Sequence, residues 1–171
     1  MKRHVAATVL ALTALGVIDV HVDVNVEDGR YIVLWQGKKY DLIGKLADRA
    51  NALLRNCASV GHLDSSSHKA QQALALVAQY SPPDSEQVQL LALLEQGPWL
   101  VAELNFARLS PAVVVLRLDA TGMSLPQRAI WSGSTAPWQP GPLIRQHLRT
   151  HVPQAPKALL DCLDPKSFDP I

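Results

Sequence analysis

Residues 84–106, DSEQVQLLALLEQGPWLVAELNF, carry the chain from one kind of backbone to another. Asp84 reads as a helix cap, with Gln87 three residues later in the capping-box position. The helix it opens is expected to stop at Gln96, because Gly97 suits the left-handed site past a helix end and Pro98 bars continuation. Beyond that stop, WLVAELNF (99–106), AVVVLRL (112–118) and QRAIWSG (127–133) read as strands. The loops between them, holding Ser110-Pro111 and Thr121-Gly122, are too short for a crossover, so these strands are expected to be antiparallel neighbours.

Upstream, IDVHVDVNVEDG (18–29) alternates strictly. The alternation predicts a strand with Val20, Val22, Val24 and Val26 on a core face and Asp19, His21, Asp23, Asn25 and Glu27 on a solvated one. The polar row is too spread along the strand for one metal ion to join its ends. Asp28-Gly29 is a hairpin-turn pair, and Tyr31 to Trp35 forms the return strand. Gln36-Gly37 then turns the chain into a short third strand. Asp41 caps a helix whose Leu42, Ile43, Leu46, Ala50, Leu53, Leu54 and Cys57 recur at helical spacing. After the polar loop SVGHLDSSSHK (59–69), Ser66 or Ser67 caps a second helix from His68 to Tyr80. The chain closes with helices from Pro142 to His151 and around Lys157 to Leu163. Hairpin, helices, meander, helices is an α+β order. The expectation is therefore an antiparallel sheet of about five or six strands with helices packed mainly on one face.

The chain of 171 residues is 48% hydrophobic and 18% charged, with a formal net charge of +1. Such a balance suits a compact fold and gives no global reason to expect a nucleic-acid partner. Lys2, Arg3 and His4 precede the uncharged run Val5 to Leu15, and Ala14 and Gly16 make a small-x-small end. Residues 1–16 therefore read as a secretory signal peptide, with 17–171 as a single domain. An uncleaved anchor and a buried first helix are the rival readings. In an exported chain Cys57 and Cys162 can form one disulfide closing a loop of about a hundred residues, worth up to ~4 kcal/mol. Their alternative is as two buried thiols in apolar helical patterns.

The loop and helix IWSGSTAPWQPGPLIRQHLR (130–149) hold the leading binding candidates. Trp131, Ser134, Thr135 and Trp138 offer large apolar area beside small hydroxyls, and the prolines stiffen the loop that presents them. Arg145 and Arg149, one helical turn apart, suit an acidic or phosphate-bearing partner. Weaker candidates for metal ligation are His62, Asp64 and His68 in the polar loop, and the i, i+4 pair His147 and His151. Neither group matches an HExxH spacing, and no GxSxG elbow, Gly-rich phosphate loop or zinc quartet is present. The sequence thus points to a non-catalytic exported or periplasmic protein that binds another protein, as a subunit of an envelope assembly or an inhibitor-like partner. It points to no cofactor, no nucleic acid and no stable membrane span once the signal is removed. The alternatives are a metal-dependent or His/Asp-based hydrolase, and a cytosolic scaffold with a buried N-terminal helix.

Overall fold

The computed structural model describes residues 22–27, 29–80 and 83–168. The signal-like run, with Asp19, Val20 and His21, lies outside the described residues. The chain divides into two compact units, 1–47 and 48–171.

In the first unit, β1 (Val22–Glu27), β2 (Arg30–Trp35) and β3 (Lys38–Tyr40) form an antiparallel sheet in the order β1-β2-β3. Gln36 and Gly37 join β2 to β3 with φ of 50° and 76°. Positive φ at both central positions is the type I′ pattern, which matches the twist of the flanking strands. Helix α1 (Leu42–Leu53) begins behind Asp41, whose carboxylate accepts a hydrogen bond from the Gly44 amide at 2.7 Å. It ends short of Cys57, where the helical pattern was expected to run.

The inside–outside reading of the hairpin is corrected. Cross-strand register puts Val24 opposite Val33 and Val26 opposite Tyr31, so the valine row does share one face with the apolar residues of β2. That face, however, is open: Val24, Val26, Tyr31, Trp35 and Tyr40 are all exposed. Ile32, which is fully buried, lies on the other face beside Asn25. Alternation separates the two sides of a strand, but it does not say which side another element covers.

In the second unit, β4 (Gly61–His62), β5 (Val88–Gln96), β6 (Trp99–Phe106), β7 (Ala112–Asp119) and β8 (Gly122–Ser124) follow one another across an antiparallel sheet, and β9 (Ile130–Ser132) also pairs with β7. With β9 the sheet has six strands, as the α+β order implied. Helix α2 (His68–Ala78) is capped by Ser67, whose hydroxyl accepts from the Ala70 amide. Helices α3 (Pro140–His151) and α4 (Lys157–Asp161) follow β9.

The segment expected to be a helix from Asp84 to Gln96 is the strand β5. Gly97 has φ of +59°, and Gln96 pairs directly with Trp99. Gly97-Pro98 is thus a two-residue hairpin turn with glycine at its first central position, the II′ arrangement. Leucine and alanine favour helix in isolation, but pairing along the whole length of β6 overrides that preference. The register shifts between Leu90 and Ala92, and the extra residue, Leu91, is exposed.

Two of this unit's helices, α3 and α4, cover one face of the sheet, and α2 covers the other. Trp99, Val101, Val113 and Val115 pack with Ile144 and Leu148 of α3 and Leu159 and Leu160 of α4. Their alternates Leu100, Ala102, Leu104, Val114 and Leu116 pack with Ala70, Ala73 and Val77 of α2. A strand buried on both sides needs apolar residues at every position, which is what AVVVL supplies. One charge interrupts this. Glu103 is buried and accepts hydrogen bonds from the amides of Lys166 and Ser167, at 2.7 and 2.6 Å, and from the Ser167 hydroxyl at 2.6 Å.

Cys57 and Cys162 are joined by a disulfide across a sequence separation of 105, with Cα atoms 5.8 Å apart. Thiol titration of the denatured, unreduced protein should find no free thiol. A Cys57→Ala, Cys162→Ala variant should lose about 2–5 kcal/mol in urea denaturation, because the bridge restricts the unfolded chain.

Candidate functional site

Strand β9 sorts its residues by parity. Trp131 turns to the face covered by α3 and α4, where it packs at the edge of the core, while Ile130 and Ser132 turn to the other. On the α3 side the Trp131 and His147 rings meet edge to face with centroids 5.0 Å apart, and the His147 and His151 rings lie 4.1 Å apart. The i, i+4 spacing thus does bring the two histidines together. Trp131 Nε1 and His147 Nε2 are buried without a hydrogen-bond partner among the described residues. Burial pushes the His147 imidazole below its usual range, and charge on His151 pushes the same way. A backbone hydrogen bond at Ile130 opposes both.

The proline-rich loop closes on itself. Buried Thr135 donates its hydroxyl to the Trp138 carbonyl at 3.1 Å, and the Trp138 amide returns a bond to the Thr135 carbonyl at 2.8 Å. The Ser134 hydroxyl is occupied by the Ala136 amide at 3.2 Å. Trp138 is half-buried.

Both arginines, expected to contact an outside partner, also have partners within the chain. Arg145 is buried, donates to the Leu163 carbonyl at 2.8 Å and pairs with Asp48. Asp48 also pairs with Arg55 at 2.5 Å, and Arg149 pairs with Asp161. These groups line a polar cleft of about 450 Å³. Its three guanidinium groups face two carboxylates, which leaves the cleft with a net charge of +1. Desolvation lowers the Arg145 pKa and the neighbouring Arg55 charge adds to it, while Asp48 opposes both.

His62, Asp64 and His68 do not act as a unit. Asp64 accepts from the Ser66 amide and hydroxyl at 2.7 and 2.6 Å, which lowers its pKa, and His68 opens α2 behind the Ser67 cap. His62 lies exposed on β4. Among the described residues no three His, Cys, Asp or Glu side chains converge in a geometry that could hold a metal.

The feature that the sequence did not indicate is an apolar pocket of about 400 Å³ on the α2 side of the sheet. Val77 and Tyr80 come from α2 and its end, Phe106 and Val114 from the two central strands, and Leu125 and Ile130 from the segment reaching β9. The polar groups of the lining are Ser85, Ser110, Ser132 and the Tyr80 phenol, and no charged residue is among them. Ser85 is spent on the Ala78 carbonyl at 2.8 Å. The Ser132 hydroxyl reaches the Ser110 carbonyl at 3.5 Å, the outer limit of a hydrogen bond. This volume and lining are typical of a site for a small apolar molecule. No local motif marks it, because its walls come from five separate stretches of chain. No protein-family model, no curated protein and no solved structure matches the chain.

The histidine contact predicts an acid-sensitive fold. A free imidazole titrates near 6.5, and the folded value of His147 is lower. Between the two values the unfolded chain binds more protons, so this contribution to stability is present above pH 6.5 and lost as pH falls through the folded value. The urea midpoint should drop on acidification below pH 6.5, and His147→Phe, which keeps a ring against Trp131, should flatten that drop.

Proposed function

We propose that the protein is a non-catalytic binding or accessory protein of an exported compartment, and that its second unit takes a small, neutral, largely apolar molecule. The observation that carries the reading is the 400 Å³ pocket, apolar in body and bearing only hydroxyl groups at its polar points. Burying an alkyl or ring system there gains roughly 0.8 kcal/mol per methylene, and Ser132 or Tyr80 can bond one alcohol, ester or amide group. A charged headgroup has no counter-ion in this lining, so a neutral ligand is favoured over a fatty-acid carboxylate or a phosphate. The Cys57–Cys162 bridge supports export, since disulfides persist in oxidising compartments.

Calorimetric titration with 1-octanol as probe should give saturable binding with a negative heat-capacity change, the mark of apolar burial. Ser132→Trp, placed on an exposed strand end at the pocket, should abolish it, whereas Ser134→Trp in the neighbouring loop should not. Binding that never saturates, or that survives Ser132→Trp, would remove the pocket as the site. For export, the intact mass of the protein recovered from its own host should correspond to a chain beginning at Val17, and a mass retaining Met1 would exclude cleavage after Gly16.

A further inference from the structure

The first unit carries an open face that its own core does not require. Register places Val24, Val26, Tyr31, Val33, Trp35 and Tyr40 on one side of the β1-β2-β3 sheet. Five of the six, all but half-buried Val33, are between 40% and 62% exposed. The charged residues of these strands, Asp23, Glu27, Arg30 and Lys39, fall on the opposite side, where Lys39 pairs with Glu27 at 2.5 Å. Lys38 alone shares the apolar face, at the outer strand next to the turn. Among the described residues of this unit, Ile32 is the one buried hydrophobic side chain.

We propose that this face is a homodimer interface, in which the three-stranded sheets of two copies of the chain pack face to face. Three features favour a second copy as the occupant. The area is right: with aromatic side chains worth ~150–250 Å² each, the open part of the face amounts to about 600 Å² per copy. Two copies then bury about 1,200 Å², above the roughly 1,000 Å² that a specific interface needs. The chemistry is self-complementary, as a two-fold axis demands, because a surface that is apolar except for Lys38 at its outer strand meets its own image with like charges confined to that edge. The shape also fits, since two twisted sheets stack ~10 Å apart with their side chains interleaved, giving a three-stranded sheet the covered face it needs for stability. A lipid surface is disfavoured by charge. An interfacial membrane site sets a basic rim around its apolar face, and here Lys39 is already paired while the whole chain carries a net charge of only +1.

Sedimentation equilibrium of the purified chain over a wide concentration range tests this. The expected result is a monomer–dimer equilibrium. Val24→Lys should raise its dissociation constant at least roughly 30-fold, as loss of a central anchor does. Asn25→Lys, one residue along and on the opposite face, should leave it within about threefold. To separate dissociation from unfolding, the pair Tyr31→Thr and Trp35→Thr keeps strand propensity while removing the aromatic area. It should also give a monomer, with the far-ultraviolet circular dichroism of the parent. A chain that is monomeric at every concentration overturns the proposal, whether the face is then covered by residues 1–21, taken up by phosphatidylcholine vesicles or left bare. So does a dimer indifferent to both sets of substitutions.

Discussion

Strand β6 is hydrogen-bonded along both edges and buried on both faces, and the second unit is arranged by that constraint. A strand so placed has no solvent side on which to show polar residues, so it reads WLVAEL rather than an alternation. Its partners inherit the same demand. AVVVL in β7 meets it with β-branched residues, and β5 meets it only at Leu93 and Leu94, its two buried residues. The one charged exception, Glu103, survives because the returning chain offers it two amides and a hydroxyl. A carboxylate with three short donors is tolerated in an interior that would expel it unpaired.

What could be read in advance follows from the range of the forces involved. Gln36-Gly37 was legible because a two-residue hairpin turn imposes positive φ on its own residues and needs nothing from elsewhere. The same holds for Ser67 and Asp41, whose caps are contacts within one turn of backbone. β5 was not legible. Its sequence satisfies a capping box, a helix stop and helix propensity, and only the presence of β6 alongside decides the matter. Gly97-Pro98 ends a helix and turns a hairpin equally well, so the strongest punctuation in the chain was ambiguous. The coverage of both sheet faces was hidden for the same reason. Periodicity assigns a side chain to a face, and burial depends on what later segments bring to it.

The candidate site divides in the same way. The spacing of His147 and His151 placed them together, and it placed Arg145 and Arg149 on one side of α3. It said nothing of Asp48, which lies 97 residues from Arg145 and meets it only through the fold. From spacing alone Arg145 reads as a contact for an anion, and in the fold its guanidinium also pairs with Asp48 and donates to the Leu163 carbonyl. Thr135 shows the effect on a smaller scale, since its hydroxyl is consumed by the carbonyl of Trp138. The pocket is the extreme case. Val77, Phe106, Val114 and Ile130 are ordinary apolar residues one by one, and only the fold brings them around one space.

The two units therefore meet their energetic requirements by different means. The second has a core on each side of its sheet, and between Cys57 and Cys162 a covalent closure over a separation of 105 residues. Arg55 and Asp161, members of two of the ion pairs, lie close in the chain to Cys57 and Cys162, so charge acts near the point where the end of α4 is joined covalently. Charged pairs alone are poor sources of stability once desolvation is counted. Next to a disulfide the entropy of bringing them together is already spent, and they serve to set orientation. The first unit has neither bridge nor two-sided core, and its largest apolar surface faces outward. Apolar surface of that extent is costly in water and is seldom kept in a monomer without use. Its composition is hence best understood through what it meets, just as the composition of the second unit is understood through what it encloses.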